Sequence, residues 1–210
     1  MRIAILGGTG SFGRVLAARL VAVGEDDVVI GSRDSARAEA VAAELGPRAS
    51  GAANEAAVGG AELAVLAVKA DAALETARGI AATLGTTPLL SVASNLTFAP
   101  GGVRPDPDAR SLAERIQDVV SGPVVAGLHS VAAANLDAAP PNEDALVCGD
   151  DPEAKELALS VAAKVVAGRA LDAGPLASAR TLEGLTAVIV NLNRRYRAHS
   201  GIEVTGIPGE

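Results

Sequence analysis

Short, wholly apolar runs alternate along the chain with longer stretches in which apolar residues recur at every third or fourth position. Residues 3–6 are the first such run, without the alternation of a half-buried strand, as expected when both faces are covered. In residues 11–23, Val15, Leu16, Leu20 and Val23 keep helical spacing, and Gly24 stands where a helix C-terminus favours glycine. Residues 28–30 then read as a second strand, and the Ala/Glu-rich 35–45 as a helix stopped by Gly46-Pro47. "ELAVLAV" (62–68) is a buried strand, 71–84 a helix and 89–92 a strand. This alternation predicts an α/β fold class: a Rossmann-like, doubly wound, mostly parallel sheet with a small helical C-terminal part.

"APGGVRPDPD" (99–108) is dense in Pro and Gly and reads as a loop, either a mobile segment beside a site or a plain surface connection. A helix at 111–120 and a strand at 124–128 continue the sheet, and "NLDAAPPNED" (135–144) is a second loop before the strand "ALVCG" (145–149). Asp151-Pro152 has the form of a helix start, with Asp as N-cap and Pro in the first turn. "GRALDAGP" (168–175) predicts a last strand and turn, and 176–199 the longest helix, closed by Gly201. The expected organisation is a nucleotide-binding part over 1–150 and a small part over 151–210 dominated by that helix. There are no internal repeats.

Between the first strand and helix lies "GGTGSFG" (7–13), which fits two frames. Gly8, Gly10 and Gly13 make G-x-G-x-x-G; Gly7, Gly10 and Gly13 make the G-x-x-G-x-x-G of many short-chain dehydrogenases. Strand, glycine turn and helix follow in the order a dinucleotide fingerprint requires. In the first frame Gly8 allows the tight turn, Gly10 admits the pyrophosphate and Gly13 lets helix and strand pack closely. The backbone N–H groups of Thr9, Gly10, Ser11 and Phe12 then face the phosphates. An NAD site carries a carboxylate after the second strand. Here "GSRDSAR" puts Ser32 and Arg33 there, with Arg37 one turn on, a set suited to a 2′-phosphate. Asp34 reads as a helix cap. NADP is therefore the expected nucleotide.

Composition narrows the chemistry. Apolar residues make up 49% of the 210-residue chain, enough for a sizeable core, yet only Phe12, Phe98 and Tyr196 are aromatic. Few aromatics and a net charge of −7 argue against a nucleic-acid reader, and make any phosphate binding local. The one cysteine, Cys148, excludes an internal disulfide framework and a Cys-based metal site, and reads as a buried structural thiol. With no membrane-length apolar run and no leader pattern, a soluble cytoplasmic protein is expected.

No Tyr and Lys stand four residues apart, so short-chain dehydrogenase chemistry is disfavoured, and no Ser-His-Asp set, zinc spacing or promising carboxylate pair replaces it. No catalytic acid or base and no metal ligand is assigned. His129 follows an apolar strand at the sheet edge where this fold class binds ligands, whereas His199 suits a helix C-terminus. Hydride exchange between two flat rings needs placement more than acid–base help, and a lining of Ala, Val, Ser and Gly suits it.

"GGTGSFG", "GSR", "LHS" (128–130), "VCGDDPEAK", "LDAGPL" and the C-terminal "EGLTAVIVNLNRRYRAHSGIEVTGI" together resemble the NADPH-dependent coenzyme F420 reductases, F420H2:NADP oxidoreductases, most closely in their actinobacterial form. The resemblance implies a homodimer or higher homo-oligomer that transfers a hydride reversibly between NADP(H) and the deazaflavin F420. By its motifs, Thr9 to Phe12, within the Gly8–Gly13 turn, meet the pyrophosphate, and Ser32, Arg33 and Arg37 the 2′-phosphate. Val68, Ser94, Leu96 and Ala133 line the nicotinamide end, and His129, Ser130 and Val131 border the deazaflavin. Two other readings remain open: NADPH-dependent reduction of a flavin, ferric chelate or small imine, and a non-catalytic NADP sensor. "NRRYRAH" (193–199) is either a solvated helix end or a landing patch for the glutamyl tail of the deazaflavin.

Overall fold

The structure, a computed structural model, describes residues 1–207. Strands β1 (Arg2–Leu6), β2 (Asp27–Ser32), β3 (Ala49–Ala53), β4 (Leu63–Leu66) and β5 (Leu89–Ser91) are linked by helices α1 (Ser11–Val23), α2 (Ser35–Leu45), α3 (Asn54–Val58) and α4 (Ala70–Leu84). A hairpin follows, β6 (Leu96–Ala99) and β7 (Gly102–Pro105). The chain continues through α5 (Leu112–Gln117), β8 (Val124–Gly127), α6 (Ala133–Ala138), β9 (Ala145–Gly149), α7 (Pro152–Val165), β10 (Ala170–Asp172) and α8 (Ala179–Tyr196).

Eight strands form one sheet in the order β10-β9-β8-β5-β4-β1-β2-β3, and β6-β7 stand apart as a second sheet. All neighbouring pairs in the large sheet are parallel except β8 with β9. From β1 the chain winds outward through β2 and β3, then returns across β1 to β4, so the winding direction switches between β1 and β4. In open α/β sheets the crevice beyond the strand ends at such a switch receives ligands.

The apolar runs are continuous because both sheet faces are covered, and the two-residue period decides which side chain goes where. Ile3, Ile5, Val28 and Ile30 pack in one core with Leu16 and Leu20 of α1 and Val161 of α7. Ala4, Leu6, Val29 and Leu66 pack in the other with Ala73, Ala77 and Ile80 of α4. Cys148 is fully buried in the second core, where burial pushes its thiol up to about 12, so it is a structural thiol. No helix among the described residues is long and apolar enough to cross a membrane.

Several expected boundaries hold, including α1, α2 and β9, and both expected caps form. Asp34 Oδ1 accepts from the Arg37 N–H at 3.2 Å, and Asp151 Oδ1 from the Ala154 N–H at 2.8 Å. Four readings change. The segment 99–108 is not all loop: β7 pairs with β6, and the Asn191 amide brackets its middle, accepting from Val103 N–H at 2.8 Å and donating to Val103 O at 2.7 Å. The first half of 135–144 belongs to α6. The last helix ends at Tyr196, with Arg197 rather than Gly201 as its left-handed cap (φ 52°). Finally, β3 and α3 had no counterpart in the sequence pattern. "ASGAA" lacks a large apolar residue because α2 lies directly on it: a Cβ at Gly51 would stand 2.2 Å from the Glu39 nitrogen.

That contact is testable. Gly51→Ala must push α2 off the sheet and should destabilise the fold by about 2–4 kcal/mol in urea denaturation. Gly79→Ala, in α4 with open space around it, should instead stabilise by about 0.5–1 kcal/mol. Equal effects at the two positions would refute the close approach.

Candidate functional site

The site begins where β1 ends. Gly7 takes φ +80°, and its carbonyl lies 2.5 Å from where a Cβ on Gly13 would be. A Cβ on Gly7 itself would meet Ala67 O at 2.7 Å and Val68 Cγ1 at 2.8 Å. Gly7, not Gly8, therefore makes the left-handed turn, and Gly13 permits the contact of helix on strand. Gly8 N–H donates to Ile5 O and Gly31 O, and Gly10 N–H to Gly7 O, which folds the turn. Gly10 is the N-cap of α1 and has no side chain to cap with, and the first turn contains no acidic residue. Its leading N–H groups, from Ser11 onward, have no helical partners and carry the positive end of the helix dipole. Such an end is ready for an anion.

The C-terminal end of β2 lies alongside, since Leu6 pairs with Gly31. Ser32 is buried at the strand end and its Oγ accepts from Asp34 N–H at 3.2 Å. Arg33 and Arg37 are exposed, and Arg37 Nη2 donates to Thr9 O at 3.4 Å, bridging the cationic stretch to the glycine turn. The Asp34 carboxylate is committed to capping α2, where it accepts from the Arg37 N–H.

Further along the same edge, beyond the ends of β5 and β8, Ser94 meets His129. Ser94 Oγ lies 3.1 Å from His129 Nδ1 and 2.8 Å from Thr186 Oγ1, and Thr186 Oγ1 donates to His129 O at 2.9 Å. Counting protons selects one arrangement. The Thr186 hydrogen is used on His129 O, so Ser94 donates to Thr186 and accepts from the His129 Nδ1–H. His129 is thus held in a closed ring with Nε2 as a bare acceptor, buried and without a partner among the described residues. Burial pushes the imidazole down to about 4, so it is neutral at pH 7. The preceding Leu128 is fully buried at φ 63°, a left-handed conformation that costs a leucine about 1 kcal/mol or more. This strained turn delivers His129 to the edge.

The remaining expected residues fall as follows. Val68 packs beside Gly7, Leu96 opens β6 half-buried, and Ala133 opens α6. Ser130 and Val131 are buried, and the Ser130 hydroxyl donates to Asp144 O at 3.4 Å, away from His129. Thr186 was missed by sequence reasoning; one hydroxyl inside a helix gives no signal until the fold brings it to His129. A cleft of about 580 Å³ between α6 and the C-terminal tail, lined by Asn135, Pro141, Glu143, His199 and Ile202, touches none of the strand ends that carry the glycine turn. No cluster of three or more metal-ligating side chains exists among the described residues.

A family model described as NADP oxidoreductase, coenzyme F420-dependent, matches residues 2–95. The chain is 34% identical to the F420-dependent NADP reductase of Methanothermobacter marburgensis, over 99% of this chain and 100% of that protein. It is 32% identical to the enzyme of the same name from Methanocaldococcus jannaschii, over 99% of each. A crystal structure from Arthrobacter sp. FB24, provisionally assigned as an F420-dependent NADP reductase, superposes with a TM-score of 0.85 at 26% identity, over 98% of this chain and 100% of that one. The chain belongs to the F420-dependent NADP reductase family.

Proposed function

We propose that the protein is an NADPH:coenzyme F420 oxidoreductase, transferring a hydride reversibly between the nicotinamide of NADP(H) and the deazaflavin ring of F420. The observation that carries this reading is likeness to F420-dependent NADP reductases over essentially the whole length of both chains. The geometry supports it in detail. The uncapped α1 N-terminus, from Gly8 to Gly13, suits a pyrophosphate, and Ser32, Arg33 and Arg37 supply hydroxyl and guanidinium donors for a 2′-phosphate.

The two substrates supply the redox chemistry; the chain supplies position. Val68, Ser94, Leu96 and Ala133 form the nicotinamide side, and His129 the deazaflavin side, with Ser130 and Val131 fixing the turn behind it. A neutral His129 places no charge beside the rings. Residues 1–150 thus hold the nucleotide, while 151–210 contribute α8 and its Thr186. We further read the chain as a cytoplasmic homo-oligomer. Val188, Leu192 and Tyr196, at i, i+4 and i+8 on α8, form an exposed apolar stripe suited to a second copy. Sedimentation at the monomer mass for both the native chain and Leu192→Asp would refute this.

Mixing the protein with NADPH and oxidised F420 should bleach the deazaflavin absorbance at catalytic rates. Bleaching of a flavin or ferric chelate alone would overturn the assignment. In the same assay Arg33→Ala should raise the KM for NADPH about tenfold or more and leave that for NADH within about twofold, as loss of a charge-assisted phosphate contact requires. Equal changes for both nucleotides would sink the 2′-phosphate reading.

His129 also sets a pH dependence. Unfolded, it binds a proton near pH 6.5; folded, only near pH 4, so between these values the unfolded state holds more protons. Its contribution is constant above about pH 6.5 and is lost as pH falls toward 4, by up to about 3 kcal/mol. Denaturation midpoints from pH 7 to 4.5 should fall less steeply in His129→Asn than in the native chain; parallel slopes would exclude a buried neutral imidazole.

A further inference from the structure

Two elements leave the Ser94–Thr186 hydrogen bond side by side. The chain runs from Ser94 into the hairpin as far as Phe98, while α8 runs from Thr186 to Arg194. Four residues of extended chain cover about 13 Å and eight of helix about 12 Å, so the two stay level. They meet again at the far end, where the Arg194 guanidinium lies over the Phe98 ring, 5.7 Å from its centroid. Between the two contacts Asn191 brackets Val103, the cross-strand partner of Phe98. The guanidinium is therefore held on a built support, about 12 Å along α8 from the residue that anchors His129.

Two features mark this support as made for a ligand. Phe98 is one of three aromatic residues in the chain, yet it is 64% exposed, so its ring serves the guanidinium and not a core. Arg194 is exposed and forms no ion pair among the described residues, in a chain whose net charge is −7. A guanidinium held over a ring, with no ion pair among the described residues, presents the donor fork that matches carboxylate and phosphate.

We propose that Arg194, seated on Phe98, anchors the anionic tail of the deazaflavin substrate and makes the enzyme prefer the tailed coenzyme over the bare ring system. The proposal rests on the F420 reading above. Beyond its deazaflavin ring and ribityl arm, F420 carries a phosphodiester and glutamate carboxylates, the charges this fork recognises. Arg195 serves as an internal control. It sits about 100° round the helix from Arg194 and bears the same relation to the helix dipole.

The test compares NADPH oxidation by F420 and by FO, the deazaflavin with its ribityl arm and no tail. Arg194→Ala and Phe98→Ala should each lower the ratio of kcat/KM for F420 to that for FO, about five- to tenfold for the arginine, through KM. Arg195→Ala should move the ratio less than about twofold. Raising salt from about 0.05 to about 0.5 M should shrink the native ratio and leave that of Arg194→Ala flat. An unmoved ratio in Arg194→Ala, or equal effects of Arg194→Ala and Arg195→Ala, overturns the proposal. An unmoved ratio with a lowered sedimentation mass gives the face to a second copy and also overturns it. If neither deazaflavin oxidises NADPH, the functional reading itself fails and the anchor falls with it.

Discussion

How closely α1 can sit on the end of β1 governs the whole nucleotide edge. The Gly7 carbonyl occupies the space of a Gly13 side chain, and Gly7 itself is wedged against Ala67 and Val68 at the end of β4. Three elements thus meet through backbone atoms and the Val68 side chain, at the place where the winding of the sheet changes direction. A single β-carbon at Gly7 or Gly13 would separate them and move the uncapped helix end away from the switch crevice. The same small-residue packing recurs where Gly51 lets α2 rest on β3. It explains how a chain with 23 glycines and three aromatic residues builds a tight core: its layers gain dispersion contacts by approaching closely, not by interlocking large side chains.

The other half of the site is polar. Ser94, Thr186 and His129 form a closed ring of hydrogen bonds that ties the sheet edge to α8. On the far side of the same turn, Ser130 donates to the carbonyl of Asp144. Asp144 in turn accepts from Arg169 and from Val204 N–H, and its own N–H donates to Ile202 O. Hydrogen bonding to Arg169 holds the Asp144 carboxyl down to about 2, so this node stays ionised at any working pH. The strained Leu128 turn is thereby fixed from both sides, by α8 in front and by the C-terminal tail behind. Strain of that kind persists only where its surroundings over-determine it.

The sequence made the alternating α/β plan, the caps at Asp34 and Asp151 and the glycine turn legible, because each rests on local chemistry. Apolar periodicity needs large side chains to register, so β3, built from Ala, Ser and Gly under the backbone of α2, left no trace. The β6-β7 hairpin was hidden by its Pro and Gly and by a partner far along the chain, Asn191, whose amide supplies the pairing that a third strand would otherwise give. The shift of the tight turn from Gly8 to Gly7 depends on how near β4 comes, which spacing cannot show. Thr186 became visible only when α8 folded back across the sheet edge. Arg197 capping α8 in place of Gly201 follows from where the helix loses its packing, not from residue preference.

In the proposed reading, these features divide the site by charge. The chain is acidic, so an anionic substrate gains nothing from its long-range field and must find short-range cations. Arg33 and Arg37 stand at the β2 end of the edge, and Arg194 stands beyond the hairpin at the other. Between them lie Val68, Ser94, Leu96 and a histidine kept neutral by burial. A cation in that middle zone would stabilise one redox state of a bound ring over the other and bias a transfer that must run in both directions. Phosphate and carboxylate binding placed at the remote ends, with a neutral imidazole at the centre, leaves the hydride step governed chiefly by ring placement. The absence of an acid–base pair from the sequence is then the expected property of such a centre.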